Sequence, residues 1–287
     1  MPKTVITGAS RGIGLATALE LAYAGHEVVA TMRSPAGSPE LAERAAQEKL
    51  SIRIEEMDVD SDRSVSEAFA RIQADGPVDV LVNNAGIERL GAVEETPLAE
   101  FRACMETNYF GVIRCLQAVI PQMRERRRGT IINVASVAGK ISLAPMTAYS
   151  ATKYALEALS EALAQELRPF NIRVAIVEPG IIDTRMAQNI GGMGDSKVYP
   201  QARRVRAMFA ATLAAGAGRP QVVATKVREI VDSGSWQLRH PVGPDAEPFL
   251  AWRGSLDDES WVRWGAQSDV DWLQTVKKDF GMDLKLD

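Results

Sequence analysis

The first two thirds of the chain alternate between two hydrophobic periods. Short β-branched runs end at small or polar residues: Lys3–Thr7, Glu27–Thr31, Ser51–Met57, Val78–Asn83, Thr130–Ala135 and Asn171–Glu178. Longer stretches of helical spacing lie between them, at Ile13–Ala24, Ser61–Gln73, Phe101–Arg124 and Tyr149–Leu167. Apolar runs with little polar alternation predict strands buried on both faces. Strand–helix–strand repetition predicts a parallel sheet with helices on both sides. Right-handed crossovers make this α/β arrangement a doubly wound sheet.

The pattern changes after Pro179-Gly180. Residues Asp183–Pro200 hold Gly191, Gly192 and Gly194, have weak periodicity and read as a mobile loop. Helical spacing returns at Pro200–Ala215 and Arg219–Asp232, and a last strand-like run covers Trp236–His240. The tail beyond it carries Trp252, Trp261, Trp264 and Trp272 among many acids. It reads as short helices packed by aromatic anchors. Covering an active site and joining a subunit interface are both open to it.

Length and composition then narrow the classes. At 287 residues the chain accommodates two domains or one large one. Lys and Arg number 33 against 37 Asp and Glu, a net charge of −4, which argues against a nucleic-acid surface. The basic run Arg124–Arg128 sits at a helix end, where dipole and solvent account for it. No run nears the ~18 apolar residues of a membrane-spanning helix. The start, MPKTVITGAS, has no apolar signal core. Cys104 and Cys115 stand eleven apart with no His or Cys cluster beside them, so neither a disulfide framework nor a metal site is expected. Two buried thiols fit a reducing, cytoplasmic setting.

The candidate chemistry begins where the first strand ends. Gly8-Ala9-Ser10-Arg11-Gly12-Ile13-Gly14 leads straight into a helix. Glycines let the backbone approach a ligand, and a helix N-terminus offers free N–H groups to a pyrophosphate. The spacing is G-x-x-x-G-x-G rather than G-x-G-x-x-G. Further on, Tyr149 and Lys153 are four apart and share a helix face. A free phenol, with a pKa near ~10, is a poor base at neutral pH. A nearby ammonium stabilises the phenolate, so the pairing predicts a lowered Tyr149 pKa and a role in proton transfer. Ser136 ends a strand thirteen residues earlier, where its hydroxyl can hold a substrate oxygen. A Ser-His-Asp hydrolase is disfavoured, because His26 and His240 lie at strand boundaries and Ser136 has no G-x-S-x-G elbow.

Together these motifs resemble the short-chain dehydrogenase/reductase family in its compact branch. The resemblance covers about residues 1–185 and rests on Thr7–Gly14, Asp58-Val59, Asn83-Asn84-Ala85-Gly86, Asn108, Ser136, Tyr149-x-x-x-Lys153 and Pro179-Gly180-x-x-x-Thr184. Val28–Arg33 and Leu238–Gly243 are similar to the hydroxysteroid- and retinol-dehydrogenase-like subset. The family implies a Rossmann-like doubly wound parallel sheet of about seven strands. On this reading residues 1–287 form one domain. Residues 1–185 are the cofactor-binding and catalytic core, and 186–287 supply substrate loop, last strand and extension.

The resemblance also distributes roles. Gly8, Ser10, Arg11, Gly12, Ile13 and Gly14 would hold the pyrophosphate, and Asp58 and Val59 the adenine. Capping of the following helix is the alternative for Asp58. Asn84, Ala85 and Gly86 would line the cofactor, and Asn83 equally suits bracing neighbouring strands. Asn108 would relay a proton through water to Lys153, with a local helix kink around it. Bonding to backbone is its alternative. Lys153 would contact the ribose, and Pro179, Gly180 and Thr184 the nicotinamide. Met186, Met193 and Met208 suit either an adaptable apolar pocket or ordinary packing.

Cofactor choice turns on one position. The acid that selects NAD in this family falls eighteen residues after Gly14, where Met32 stands, and Arg33 follows it. Arg11 and Arg33 can clamp a phosphate, which favours NADP(H) over NAD(H). The expectation is an NADP(H)-dependent oxidoreductase that interconverts a ketone or aldehyde and an alcohol, with a small-molecule substrate. An NAD-dependent alcohol dehydrogenase and a non-catalytic nucleotide sensor are the rivals. A homo-oligomer, dimer or tetramer, is the family's habit.

Overall fold

A computed structural model of the chain describes every residue except Met193, Asp195 and Asp287. Seven strands form one parallel sheet: β1 (Lys3–Ile6), β2 (Glu27–Met32), β3 (Ile52–Glu56), β4 (Val80–Asn83), β5 (Gly129–Val134), β6 (Ile172–Pro179) and β7 (Arg239–Val242). Their order is β3-β2-β1-β4-β5-β6-β7, and every neighbouring pair is parallel. The order reverses between β1 and β4, which opens a crevice at the carboxyl ends of the strands.

Helices cover both faces. In chain order they are α1 (Gly12–Tyr23), α2 (Glu40–Gln47), α3 (Asp62–Ala74), α4 (Leu98–Met105), α5 (Gly111–Arg126), α6 (Thr147–Leu167), α7 (Arg185–Gly191), α8 (Gln201–Ala214), α9 (Pro220–Ser233), α10 (Ala246–Gly254), α11 (Asp258–Ala266) and α12 (Asp269–Phe280). Two apolar cores result, one on each side of the sheet. On one side Leu15, Leu19, Val223 and Val227 of α1 and α9 pack on Ile6, Val28 and Ile132. On the other, Phe69, Leu116 and Leu156 of α3, α5 and α6 pack on Val5, Leu81 and Ile131. Adjacent β-strand residues thus face opposite cores, as nearly continuous apolar strands require.

Four local features differ from the periodic pattern. The last strand starts at Arg239, not Trp236. Trp236 stays outside the sheet, with the Arg168 guanidinium 4.0 Å over its ring. β7 is an edge strand, which is why Pro241 is tolerated within it. The segment read as a loop contains α7, capped by Thr184, whose Oγ1 accepts from Ala187 N. A seven-residue helix has too few turns to display a period. α2 lies within 33–50, where no element was predicted. β3, at the other edge, is only half-buried.

The stretch Phe101–Arg124 is likewise not one regular helix. A single π-helical segment, Glu106–Phe110, joins α4 to α5. It lies at Asn108, where a kink was expected, and Gly111 beyond it rests against Val59. A Cβ there would stand 2.9 Å from Val59 Cγ2.

A buried polar rung crosses the sheet. Asn83 Nδ2 donates to Asn133 Oδ1 at 2.8 Å, and Asn133 Nδ2 donates to Ser160 Oγ at 2.8 Å. Asn83 therefore braces β4 to β5, and Asn133 ties the sheet to α6. Asn133→Ala removes both bonds and leaves a buried amide group unpartnered. The expected cost is about 2–3 kcal/mol, read as a lower urea midpoint with unchanged m-value.

Candidate active site

The crevice is built from the turn after β1 and the loop after β4. Thr7 Oγ1 accepts from Asn84 N and Ala85 N, both at 3.0 Å. Asn84 Nδ2 returns two bonds, to Thr7 O at 2.9 Å and Gly8 O at 3.1 Å. The two segments approach so closely that a Cβ on Gly8 would sit 2.7 Å from Ala85 Cα. Gly8 and Gly12 take φ of +66° and +57°. A Cβ on Gly14 would stand 2.4 Å from Gly8 O. α1 starts at Gly12 without a side-chain cap on its first turn. Its N–H donors therefore suit an anionic group such as a pyrophosphate.

One continuous cleft of about 330 Å³ runs from this turn across the sheet. Gly8, Ser10, Arg11, Gly12, Ile13, Arg33, Asp58, Val59, Asn84, Ala85 and Gly86 line its first half. Arg11 and Arg33 are exposed, and neither side chain forms a hydrogen bond or ion pair among the described residues. Met32, before Arg33, is buried. Asp58 is not a helix cap. Its Oδ1 accepts from Asp60 N, while Ser61 caps α3.

The second half holds Ser136, Tyr149 and Lys153, all nine-tenths or more buried. Ser136 follows β5 and starts a short 3-10 turn, where its Oγ accepts from Ala138 N at 3.1 Å. Tyr149 and Lys153 stand one turn apart on α6, and Lys153 Nζ lies 5.6 Å from the phenol ring centre. Lys153 Nζ donates to Val134 O at 2.9 Å.

The electrostatics correct one expectation. Burial pushes the Tyr149 phenol up, against a smaller opposing effect of its hydrogen bond with Ser136. The neighbouring ammonium does not overcome the loss of water. Burial also lowers Lys153 to about 8, with Cys104 and Glu157 acting in the opposite sense. The charged forms of both groups are penalised because the pair shares one dry pocket.

Asn108 stands behind the cleft wall. Its Oδ1 accepts from Ile87 N at 2.8 Å, and its Nδ2 donates to Ile87 O and to Thr152 Oγ1, both at 2.9 Å. Thr152 Oγ1 in turn donates to Tyr149 O at 2.7 Å. The amide is committed to these groups. Asn108 thus fastens the loop after β4 to α6.

Pro179 ends β6, and Pro179, Gly180 and Thr184 line the same cleft. Gly180 is bare because Asp245 presses on it, and a Cβ would lie 2.3 Å from Asp245 Oδ1. Asp245 Oδ2 accepts from Ile181 N at 2.8 Å. Beyond Tyr149 the walls are apolar. Met186 and Met208 line them, with Phe249, Trp252, Trp264 and Phe280 from the tail. Met193 lies outside the described residues. Trp252 packs edge-on against Trp264 and Phe280, with ring centres 5.1 and 4.8 Å apart. Buried Arg204 of α8 anchors this group by binding Asp269 at the start of α12 at 2.8 Å.

The profile of the short chain dehydrogenase family matches residues 3–193. The chain belongs to the short-chain dehydrogenase family. It is therefore a nucleotide-dependent oxidoreductase. An uncharacterized oxidoreductase of Bacillus subtilis, YusZ, is 34% identical over 265 residues, covering 90% of this chain and 94% of the relative. Bovine retinol dehydrogenase 8 is 36% identical over 265 residues, with 87% and 84% covered. A short-chain dehydrogenase from Streptomyces avermitilis superposes with a TM-score of 0.77 at 34% identity, over 92% of this chain and 96% of the other. An alcohol dehydrogenase from Thermococcus sibiricus, solved with 5-hydroxy-NADP, has a TM-score of 0.69 at 26% identity, with 85% and 96% covered.

Several contacts around the cleft carry no readable sequence signal. Thr7 opens the glycine-turn motif, but its bonding to the loop after β4 shows only once β4 is placed beside it. Asp245 is 65 residues from the turn it holds, and only its place after Gly243 hints at a loop role. Phe249 and Phe280 reach the cleft only through the packing of the tail. The glycine turn is the most directly testable part. Gly14→Ala should weaken reduced-dinucleotide binding about 10-fold or more, because the turn must shift away from Gly8 O. Cofactor fluorescence titration measures it.

Proposed function

We propose that this enzyme uses NADP(H) to interconvert an apolar ketone or aldehyde and its alcohol, with Tyr149 as the acid/base. The convergence of Ser136, Tyr149 and Lys153 in one buried pocket, in the cleft that starts at the glycine turn, carries the reading. The first turn of α1 and the bare backbone at Gly8 and Gly12 fit a dinucleotide pyrophosphate. Ala85 and Gly86 leave room for a flat ring system beside β4, and Pro179, Gly180 and Thr184 border its nicotinamide end. When bound, the nicotinamide supplies or accepts the hydride.

The chain's own groups handle the oxygen and the proton. Ser136 Oγ orients the substrate oxygen toward Tyr149. During reduction Tyr149 gives its proton to the nascent alkoxide, and burial favours the protonated phenol this requires. In the oxidative direction Tyr149 must accept that proton. The positive charges of Lys153 and of the oxidised ring then favour phenolate. Lys153 would also bind the ribose hydroxyls, and Asn108 fastens the wall beside it.

Arg11 and Arg33 support NADP(H). Both face the cleft with no hydrogen bond or ion pair among the described residues, and no carboxylate stands at position 32 to repel a 2′-phosphate. The Thermococcus sibiricus enzyme, solved with 5-hydroxy-NADP, supports the same choice. Apolar walls from Met208, Trp252 and Trp264 support a substrate of low polarity, and the relationship to retinol dehydrogenase 8 agrees with a retinol-like alcohol or carbonyl.

Two measurements test this. On a panel of apolar carbonyls with NADPH, Tyr149→Phe should lower kcat about 10²- to 10⁴-fold with little change in cofactor binding. Activity equal to wild type on every substrate would leave only a nucleotide-binding role. Arg33→Ala should cut the NADPH-over-NADH preference in kcat/KM by about 10- to 100-fold. A wild-type enzyme that prefers NADH would overturn the cofactor choice.

A further inference from the structure

Behind Lys153 lies a second cluster of charges that the proposed chemistry does not use. Glu157 is one turn further along α6, and Glu178 is the penultimate residue of β6, just before Pro179. They are 2–3% exposed. Arg239 of β7 faces both, with Nε 3.0 Å from Glu157 Oε2 and 4.0 Å from Glu178 Oε1. Its Nη2 also binds Glu161 Oε2 at 2.6 Å. Lys140, after the 3-10 turn, brings Nζ to 3.7 Å from Glu157 Oε2. Gly139 in that turn is bare where Glu157 passes, and a Cβ would sit 2.9 Å from Glu157 Cγ.

One atom is left over. Glu157 Oε1 is buried and has no hydrogen-bond donor. An unpartnered carboxylate oxygen in a dry site is strongly unfavourable. The Glu178 side chain is within hydrogen-bonding reach of Glu157, so a proton on it would supply a donor. Burial and the Glu157 carboxylate together push the Glu178 carboxyl up to about 7, and Arg239 and Lys140 oppose this.

We infer that below neutral pH Glu178 holds a proton against the buried Glu157 carboxylate, and that the charge on Glu157 keeps Lys153 protonated. Glu157 is thus a positioning residue that acts through Lys153. Cys104 is the other group that favours the Lys153 ammonium. Burial pushes the Cys104 thiol up, so it is neutral near pH 7 and Glu157 is the working charge there. As pH rises through neutrality Glu178 releases its proton, and the pair then carries a second charge and opposes deprotonation of Lys153. The inference rests on the catalytic place given to Lys153 above, and its first test does not.

That first test uses no substrate. The Glu178 proton stabilises the fold fully below the ordinary carboxyl value of 4.5, and this stabilisation is lost as pH rises through about 7. Gln at position 178 donates to Glu157 Oε1 at every pH. Urea midpoints of wild type should therefore fall relative to Glu178→Gln between pH 4.5 and 8. Parallel profiles overturn the Glu178 proton. The second test is the pH profile of kcat/KM with NADPH. Glu157→Gln should move the alkaline limb down by about half a unit or more, while Glu178→Gln stays within about twofold of wild type at pH 7. A Glu157→Gln limb that coincides with wild type overturns the link to Lys153. A role confined to packing would lower stability and leave the limb in place. If Tyr149→Phe is fully active, the catalytic reading falls instead, and the stability profiles still decide the pair.

Discussion

The molecule depends on how β1 and β4 are held together. The chain leaves these two neighbouring strands toward opposite sides of the sheet, so their carboxyl ends must part. Something polar has to satisfy the backbone where they do. Thr7 supplies an acceptor for two amides of the β4 loop, and Asn84 answers with two donors to the β1 turn. That exchange closes the base of the crevice with backbone and fixes how near Gly8 lies to Ala85. The glycine turn, the start of α1 and the β4 loop then have no independent freedom. Asn108 extends the same constraint to α6 through Ile87 and Thr152. The dinucleotide turn and the Tyr149–Lys153 helix are thereby parts of one hydrogen-bonded frame.

Dryness is the second constraint. Tyr149 and Lys153 both prefer their neutral forms when water is removed. The pocket therefore does not hold a ready-made phenolate, and a proton is easiest to place where the surrounding charge changes during reaction. Counter-charges sit one layer back, on Glu157, rather than in contact with the ammonium. This layering leaves the cleft face of Lys153 free while its field is still balanced from behind. The arrangement follows from the four-residue spacing of Tyr149, Lys153 and Glu157 along one helix face.

Much of this was legible from the chain alone. Strands buried on both sides show as uninterrupted apolar runs, and six of the seven were read within two residues of their ends. β7 was not, because Trp236 carries the apolar signal yet stacks on Arg168 outside the sheet. The turn glycines, Ser136, Tyr149 and Lys153 announce themselves because their spacing is set by local geometry. Asp245 and the Glu157–Glu178 pair do not, since their partners are far away in sequence. The rise of the Tyr149 pKa was missed for a related reason: the pairing with Lys153 is local, but burial is a property of the whole fold. The tail was legible in composition only. Its route to the cleft depends on Arg204 and Asp269, 65 residues apart.

The π segment at Glu106–Phe110 has a geometric consequence. A π turn accommodates one more residue than an α turn, so it rotates everything after it by about 100° relative to a regular helix. α4 and α5 each keep an apolar face toward the protein, yet those faces follow different phases of the same chain. Cys104 and Cys115 are both fully buried although they lie on opposite sides of that offset. The extra residue works as a phase shifter, and Asn108 within it is buried. Length, and not only residue identity, is thus under constraint here. Winding this segment as a regular α-helix at the same length would send every side chain downstream to the wrong bearing.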